Sequence, residues 1–124
     1  MDVVLWIIAG LLAAAFAAAG LMKLVQPKAK LAESGMAWAG DFSAGQVKAI
    51  GAVEVLGALG LILPAALDVA PVLTPIAATG LALVMLGAVV VHVRRGETSS
   101  VPAPLVLAVL AALVAVLRFG PYAF

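Results

Sequence analysis

Cysteine is absent from this chain, histidine occurs once, and charged residues fill only 10% of its 124 positions. Without cysteine the chain can form no disulfide, hold no cysteine-ligated iron–sulfur cluster and carry out no thiol exchange, so we expect no intrinsic cofactor. A single histidine falls short of the three or four ligands that zinc sites use, and we predict no metal site. Phosphate-binding glycine loops and nucleophile motifs are also missing, which predicts no catalytic residues and makes an enzyme the less favoured class.

The small fraction of charged residues also indicates whether water or a membrane surrounds the chain. A net charge of +1 offers no basic surface for nucleic acid, and so few charges could not cover a soluble domain. Hydrophobic residues make up 66% of the chain and gather in four runs, each long enough to cross about 30 Å of hydrocarbon as a helix. The runs cover residues 3–25, 44–67, 75–93 and 102–122. The sequence predicts an all-α fold, namely an integral membrane, antiparallel four-helix bundle formed by a single transmembrane domain over residues 1–124.

Capping signals separate the four runs. Ser43 and Gln46 form the pattern of a capping box at the start of the second helix. Thr74 followed by Pro75 predicts an N-cap and a proline at the first helical position of the third helix. Pro102 likewise predicts a proline in the first turn of the fourth helix.

The longest connection predicts an interfacial segment over residues 28–42. It carries the apolar residues Leu31, Met36, Trp38 and Phe42 among charged ones. Such a composition is typical of a segment in the headgroup region, where tryptophan is enriched. We therefore interpret Trp38 as an interfacial anchor.

The distribution of lysine and arginine predicts the orientation. Six basic residues lie at or in the first and third connections, namely Lys23, Lys28, Lys30, Lys48, Arg94 and Arg95, whereas Arg118 alone lies on the other side. Basic residues favour the cytoplasmic side of a membrane. We expect a multi-pass protein of the cell membrane with loops 26–43 and 94–101 in the cytoplasm and both termini outside.

Glu54 is the only carboxylate inside a long apolar run. An acid at such depth is unfavourable unless it pairs, is protonated or meets water, so it marks either a structural ion pair or a functional site. Gly51 and Ala58 lie on its helix face, which predicts that it points inward. Lys23 and His92 end the first and third runs on the same side, so a polar cluster of Lys23, Glu54 and His92 is geometrically reasonable. Taken singly, Lys23 could snorkel and His92 could be an interfacial residue.

The opposite side offers fewer polar groups. Arg118 lies about one turn inside the outer end of the fourth run, and Asp68 lies in the second connection. The simplest interpretation is that Arg118 snorkels toward water. Asp68 or Asp2 could also pair with it.

Three motifs resemble those of the DoxX-like small membrane proteins. They are Ala19-Gly-Leu-Met-Lys-Leu24 followed by Pro27, IGAVEVLGALGLILP at residues 50–64, and GAVVVHVRRG at residues 87–96. The resemblance implies a four-helix membrane protein in which Lys23, Glu54 and His92 are the recurring polar positions. Named members of that family are associated with quinone-linked oxidoreductase systems and oxidative-stress complexes, and distant eukaryotic relatives resemble helpers of receptor assembly.

Three functional classes follow from the sequence. The first is a non-catalytic subunit or assembly helper of a membrane complex, in which the bundle docks a membrane protein partner or a second copy of itself. The second is a binder of a lipid or quinone, in which Glu54 and His92 contact the head of the ligand, and it predicts a pocket that reaches Glu54. The third is a small proton-coupled exporter, for which the intramembrane acid is the only support. Membrane lipids are partners in each case.

Overall fold

The structure, a computed structural model, describes residues 1–33 and 37–124. Within these residues the chain forms five α-helices, namely α1 (Asp2–Val25), α2 (Lys28–Glu33), α3 (Ala44–Ala66), α4 (Leu73–Arg94) and α5 (Pro102–Phe119). Short 3-10 helices cover Ala37–Asp41 and Thr98–Ser100. The helices α1, α3, α4 and α5, the last together with the 3-10 turn before it, are long and apolar enough to cross a membrane. The predicted fold class, an all-α membrane protein with four spanning helices, is confirmed.

Two of the predicted helix starts are confirmed and one is wrong. At the start of α3, the Ser43 hydroxyl accepts from the Gln46 backbone at 3.1 Å, and the Gln46 side chain accepts from the Ser43 backbone at 2.9 Å. Pro102 is the first residue of α5. However, α4 begins at Leu73, so Thr74 lies inside the helix and does not cap it.

Thr74 instead joins α4 to α3. Pro64, inside α3, has no backbone N–H, which leaves the carbonyl of Gly60 without its usual helical donor. The hydroxyl of Thr74 lies 3.3 Å from that carbonyl oxygen and 3.4 Å from that of Leu61, and donates to them. A polar side chain can therefore be fully buried at this position, because it satisfies a carbonyl that the proline leaves free.

The four long helices pack in a ring. Contacts are most extensive between α1 and α3 and between α4 and α5, and fewer join α3 to α4 and α1 to α5. Contacts along α3 and α4 run in opposite directions, with Gly57 beside Leu81 and Gly60 beside Ala77. The antiparallel order of the other helices stays a prediction. Large apolar side chains cover the outer faces of the ring, which suits a hydrocarbon solvent.

Two glycines bring α1 and α3 into backbone contact. A methyl group on Gly20 would lie 2.6 Å from the carbonyl oxygen of Gly51, and one on Gly51 would lie 2.7 Å from the carbonyl oxygen of Gly20. Small residues allow this close approach. The resulting van der Waals contacts hold the helices together in lipid, where there is little hydrophobic effect between them. The contact holds the two backbones close together, so side chains one turn away can reach the neighbouring helix.

A small second core lies where the connection between α1 and α3 folds back. Leu31, Ala39 and Val47 are buried together, with Trp38 and Phe42 packed around them. Residues 34–36 of the predicted interfacial segment, including Met36, lie outside the described residues. The position of this segment in the headgroup region stays a prediction.

Candidate functional site

Lys23 and Glu54 form a buried ion pair between α1 and α3. Nζ of Lys23 lies 2.7 Å from Oε1 of Glu54, and the two side chains are 7% and 2% exposed. A methyl group on Gly51 would lie 2.8 Å from Cβ of Lys23, so Lys23 meets α3 one turn from Glu54 and its long side chain can reach the carboxylate. At this distance the ammonium of Lys23 can donate a charge-assisted hydrogen bond to Oε1.

Trp38 covers the pair from the connection between α1 and α3. Nζ of Lys23 lies 5.7 Å from the centroid of the Trp38 ring, within the range of a cation–π contact. Phe42 meets the same ring edge-on at 5.8 Å. The predicted role of Trp38 as an interfacial anchor stays a prediction, but its contact with Lys23 makes it part of the site.

A half-enclosed cavity of about 670 Å³ reaches the ion pair. Ligand pockets in proteins have volumes of roughly 300–1,000 Å³ and mostly apolar walls with few polar groups. Here the walls come from α1, α3, α4 and α5 and are apolar apart from Lys23, Glu54, His92, Ser100 and the indole of Trp38. The three polar residues that the sequence predicted as a cluster therefore line one cavity.

His92 shares this cavity, but its hydrogen bond goes to Glu97 and not to Glu54. Nδ1 of His92 lies 3.2 Å from Oε1 of Glu97, and Nε of Arg95 donates to the same oxygen at 3.0 Å. Gly96, with a φ of 71°, ends α4 in the left-handed conformation that favours glycine. The turn folds Glu97 back so that its backbone N–H donates to the carbonyl of His92 at 2.8 Å.

Glu97 is the residue that the sequence analysis missed. A glycine directly after two basic residues is the usual signal of a helix end. The residue that follows such a glycine turns back over the last helical turn. This signal could have identified Glu97 as the partner of His92.

Arg118 is also buried, at the opposite end of the bundle. It is 4% exposed and donates to Asp2 at 2.6 Å and to the carbonyl of Tyr122 at 2.9 Å. The ring of Phe124 lies 4.0 Å from its guanidinium carbon. Asp2 is therefore its partner, whereas Asp68 lies exposed in the turn after α3. These partners lie at the outer end of the bundle, where the Asp2 side chain is 62% exposed, and the snorkelling of Arg118 toward water stays a prediction.

Comparison with known proteins identifies the family. The family model of the DoxX-like family matches residues 7–114. The matched region contains Lys23, Glu54 and His92 and excludes Asp2 and Arg118. No curated protein and no solved structure matches the chain. The match covers most of the chain, and the protein belongs to the DoxX-like family of multi-pass membrane proteins.

Proposed function

We propose that this protein binds an amphipathic small molecule of the quinone or lipid class in the cavity beside Glu54. The observation that carries the proposal is a cavity of about 670 Å³ that reaches a buried ion pair. Its apolar walls suit a ring or an acyl tail. The polar atoms of Lys23, Glu54 and His92 suit a small polar head, and the burial of Lys23 and Glu54 strengthens their electrostatic contacts.

The cavity supports ligand binding over the docking role that the sequence ranked first. Apolar walls that surround a buried pair of charged groups can hold an apolar tail and a polar head together. Docking of a partner does not require such a cavity. The roles of non-catalytic subunit, assembly helper and proton-coupled exporter stay predictions. A ligand-binding protein of this kind could still act within a larger membrane complex.

Gly87 offers a position at which the cavity can be filled. It lines the cavity and is exposed, and a methyl group added there would meet no atom within 4 Å. Gly80, two turns earlier on α4, is half-buried, but a methyl group added there would also meet no atom within 4 Å, and it does not line the cavity. The two glycines form a matched pair, since a leucine at either position changes the helix in the same way and only one of them takes space from a ligand.

We expect a bound probe to quench Trp38. The chain has two tryptophans, and Trp6→Phe leaves only the one at the cavity. In this background, in lipid nanodiscs, an alkylbenzoquinone or a bromine-labelled monoacylglycerol should quench the fluorescence saturably, because each carries a quenching group into contact with Trp38. Gly87→Leu should weaken the binding at least about tenfold, which corresponds to about 1.4 kcal/mol. Gly80→Leu should leave it unchanged.

The control for this experiment is Trp38→Phe, in which Trp6 is the only reporter. Trp6 lies beside Arg118 at the far end of the bundle, so it should show only the linear quenching that free probe in the bilayer causes. Equal quenching of both tryptophans, or quenching of Trp38 that Gly87→Leu leaves unchanged, would contradict ligand binding in the cavity.

We also propose that the protein lies in the cell membrane with the cavity end toward the cytoplasm and both termini outside. The proposal rests on the six basic residues at that end against one at the other. Because the chain has no cysteine, Ser99→Cys and Asp68→Cys each introduce a single thiol, and both positions are exposed. An impermeant maleimide added outside intact cells should label only residue 68. Labelling of residue 99 alone would contradict this proposal and indicate the opposite orientation.

A further inference from the structure

We infer that the polar head of the ligand carries a hydroxyl group that donates a hydrogen bond, as in a phenol or an alcohol. This inference rests on the proposed function and specifies the class of ligand. Its basis is the hydrogen-bonding state of His92, which lines the cavity beside the Lys23–Glu54 pair.

Glu97 determines which nitrogen of His92 carries the proton. Its Oε1 receives Nε of Arg95 at 3.0 Å and lies 3.2 Å from Nδ1 of His92. A carboxylate paired with arginine can only accept, so Nδ1 must donate. In the neutral ring, Nε2 is then an acceptor. It has no hydrogen-bond partner in the described part of the chain.

Glu54 does not need a donor from the ligand. Its side chain is 2% exposed, and Oε1 lies 2.7 Å from the ammonium of Lys23. A ligand whose head has only carbonyl or ether oxygens would instead cover Nε2 of His92 without giving it a donor. Buried acceptors without a donor are unfavourable, so such a ligand should bind more weakly than one with a hydroxyl group.

The charges of the site disfavour the other simple heads. A carboxylate would meet the like charge of Glu54, and an ammonium would meet that of Lys23, with Arg94 and Arg95 at the same end of α4. A hydroxyl group carries no charge. It can donate to Nε2 or to Oε1 and accept from Lys23 or from the hydroxyl of Ser100, which also lines the cavity.

The test compares a bromine-labelled alkylphenol with its methyl ether, in which a methyl group replaces the hydroxyl hydrogen and no donor remains. Both are titrated against Trp38 in the Trp6→Phe background in nanodiscs, with concentrations expressed per lipid. The phenol should bind about tenfold more tightly than the ether, as expected for one buried acceptor left unpaired. His92→Phe replaces the imidazole with an aromatic ring that has no nitrogen. In this variant the affinities for the phenol and for the ether should differ by no more than about twofold.

Glu97→Ala tests the positioning role separately. Without the carboxylate the ring is free to take either tautomer, so the preference for the phenol should fall while the affinity for the ether stays the same. Asp68→Asn, at an exposed acid away from the cavity, should change neither value.

The outcomes separate this inference from the proposed function. Saturable binding of phenol and ether with equal affinity, abolished by Gly87→Leu, would overturn the hydroxyl preference and leave ligand binding in place. Linear quenching by both compounds would overturn both. A preference for the phenol that survives in both His92→Phe and Glu97→Ala would overturn the assignment to Nε2.

Discussion

Replacing Lys23 with methionine is expected to destabilise the bundle by about 3–5 kcal/mol, because it leaves Glu54 buried without its counter-charge. Glu54→Gln should be milder, since a neutral amide near Lys23 still accepts hydrogen bonds and Lys23 has a long stem that can extend toward the membrane surface. We therefore predict that Lys23→Met lowers the stability more than Glu54→Gln does. It can be measured as the thermal unfolding midpoint of the detergent-solubilised proteins.

The double variant Lys23→Met with Glu54→Leu is the control for this prediction. Replacing both partners of a buried pair with apolar residues of similar size is often neutral or stabilising. The double variant should therefore recover most of the stability that Lys23→Met loses, although it should no longer bind the polar head of a ligand. Small and equal effects of Lys23→Met and Glu54→Gln would contradict a buried ion pair and indicate that Glu54 meets water.

Adding one methyl group at Gly51 is expected to force α1 and α3 apart. The new carbon would lie 2.7 Å from the carbonyl oxygen of Gly20 and 2.8 Å from Cβ of Lys23, and backbone cannot move aside without shifting the helix. Overpacking of this kind lowers stability by about 1–3 kcal/mol. It should also displace Lys23 from Glu54, so Gly51→Ala should lose both thermal stability and the saturable quenching of Trp38.

Gly10→Ala provides the matched control on α1. A methyl group there meets no atom within 4 Å and lies on the exposed face of the helix. Its effect should stay within about 0.5 kcal/mol, as for most surface substitutions. Wild-type stability and quenching in Gly51→Ala would show that the close contact between the two helices does not hold the site together.

The architecture was predictable because its signals are local. Each spanning helix is an apolar run of the length that the bilayer requires, and a capping box or a proline marks where α3 and α5 begin. The start of α4 was misplaced for a physical reason. A threonine before a proline resembles an N-cap, but here Thr74 satisfies a carbonyl that Pro64 frees on the neighbouring helix, and no local pattern shows this contact.

The site was predictable in part. Burial of Glu54 beside Lys23 follows from one acid in an apolar run and one lysine at the matching depth. The partner of His92 was missed, although the glycine after Arg95 marks the turn that brings Glu97 back to His92. The pairing of Arg118 with Asp2 joins the two ends of the chain, and the choice between Asp2 and Asp68 depended on tertiary geometry.

The central claim is that the cavity beside the Lys23–Glu54 pair holds a ligand, and an experimental density map of the protein in lipid nanodiscs tests it most directly. We predict elongated density inside the cavity, with its polar end at Lys23, Glu54 and His92 and its apolar part between α1 and α4. A cavity closed by packed side chains, or bound density only beside Arg118, would contradict it.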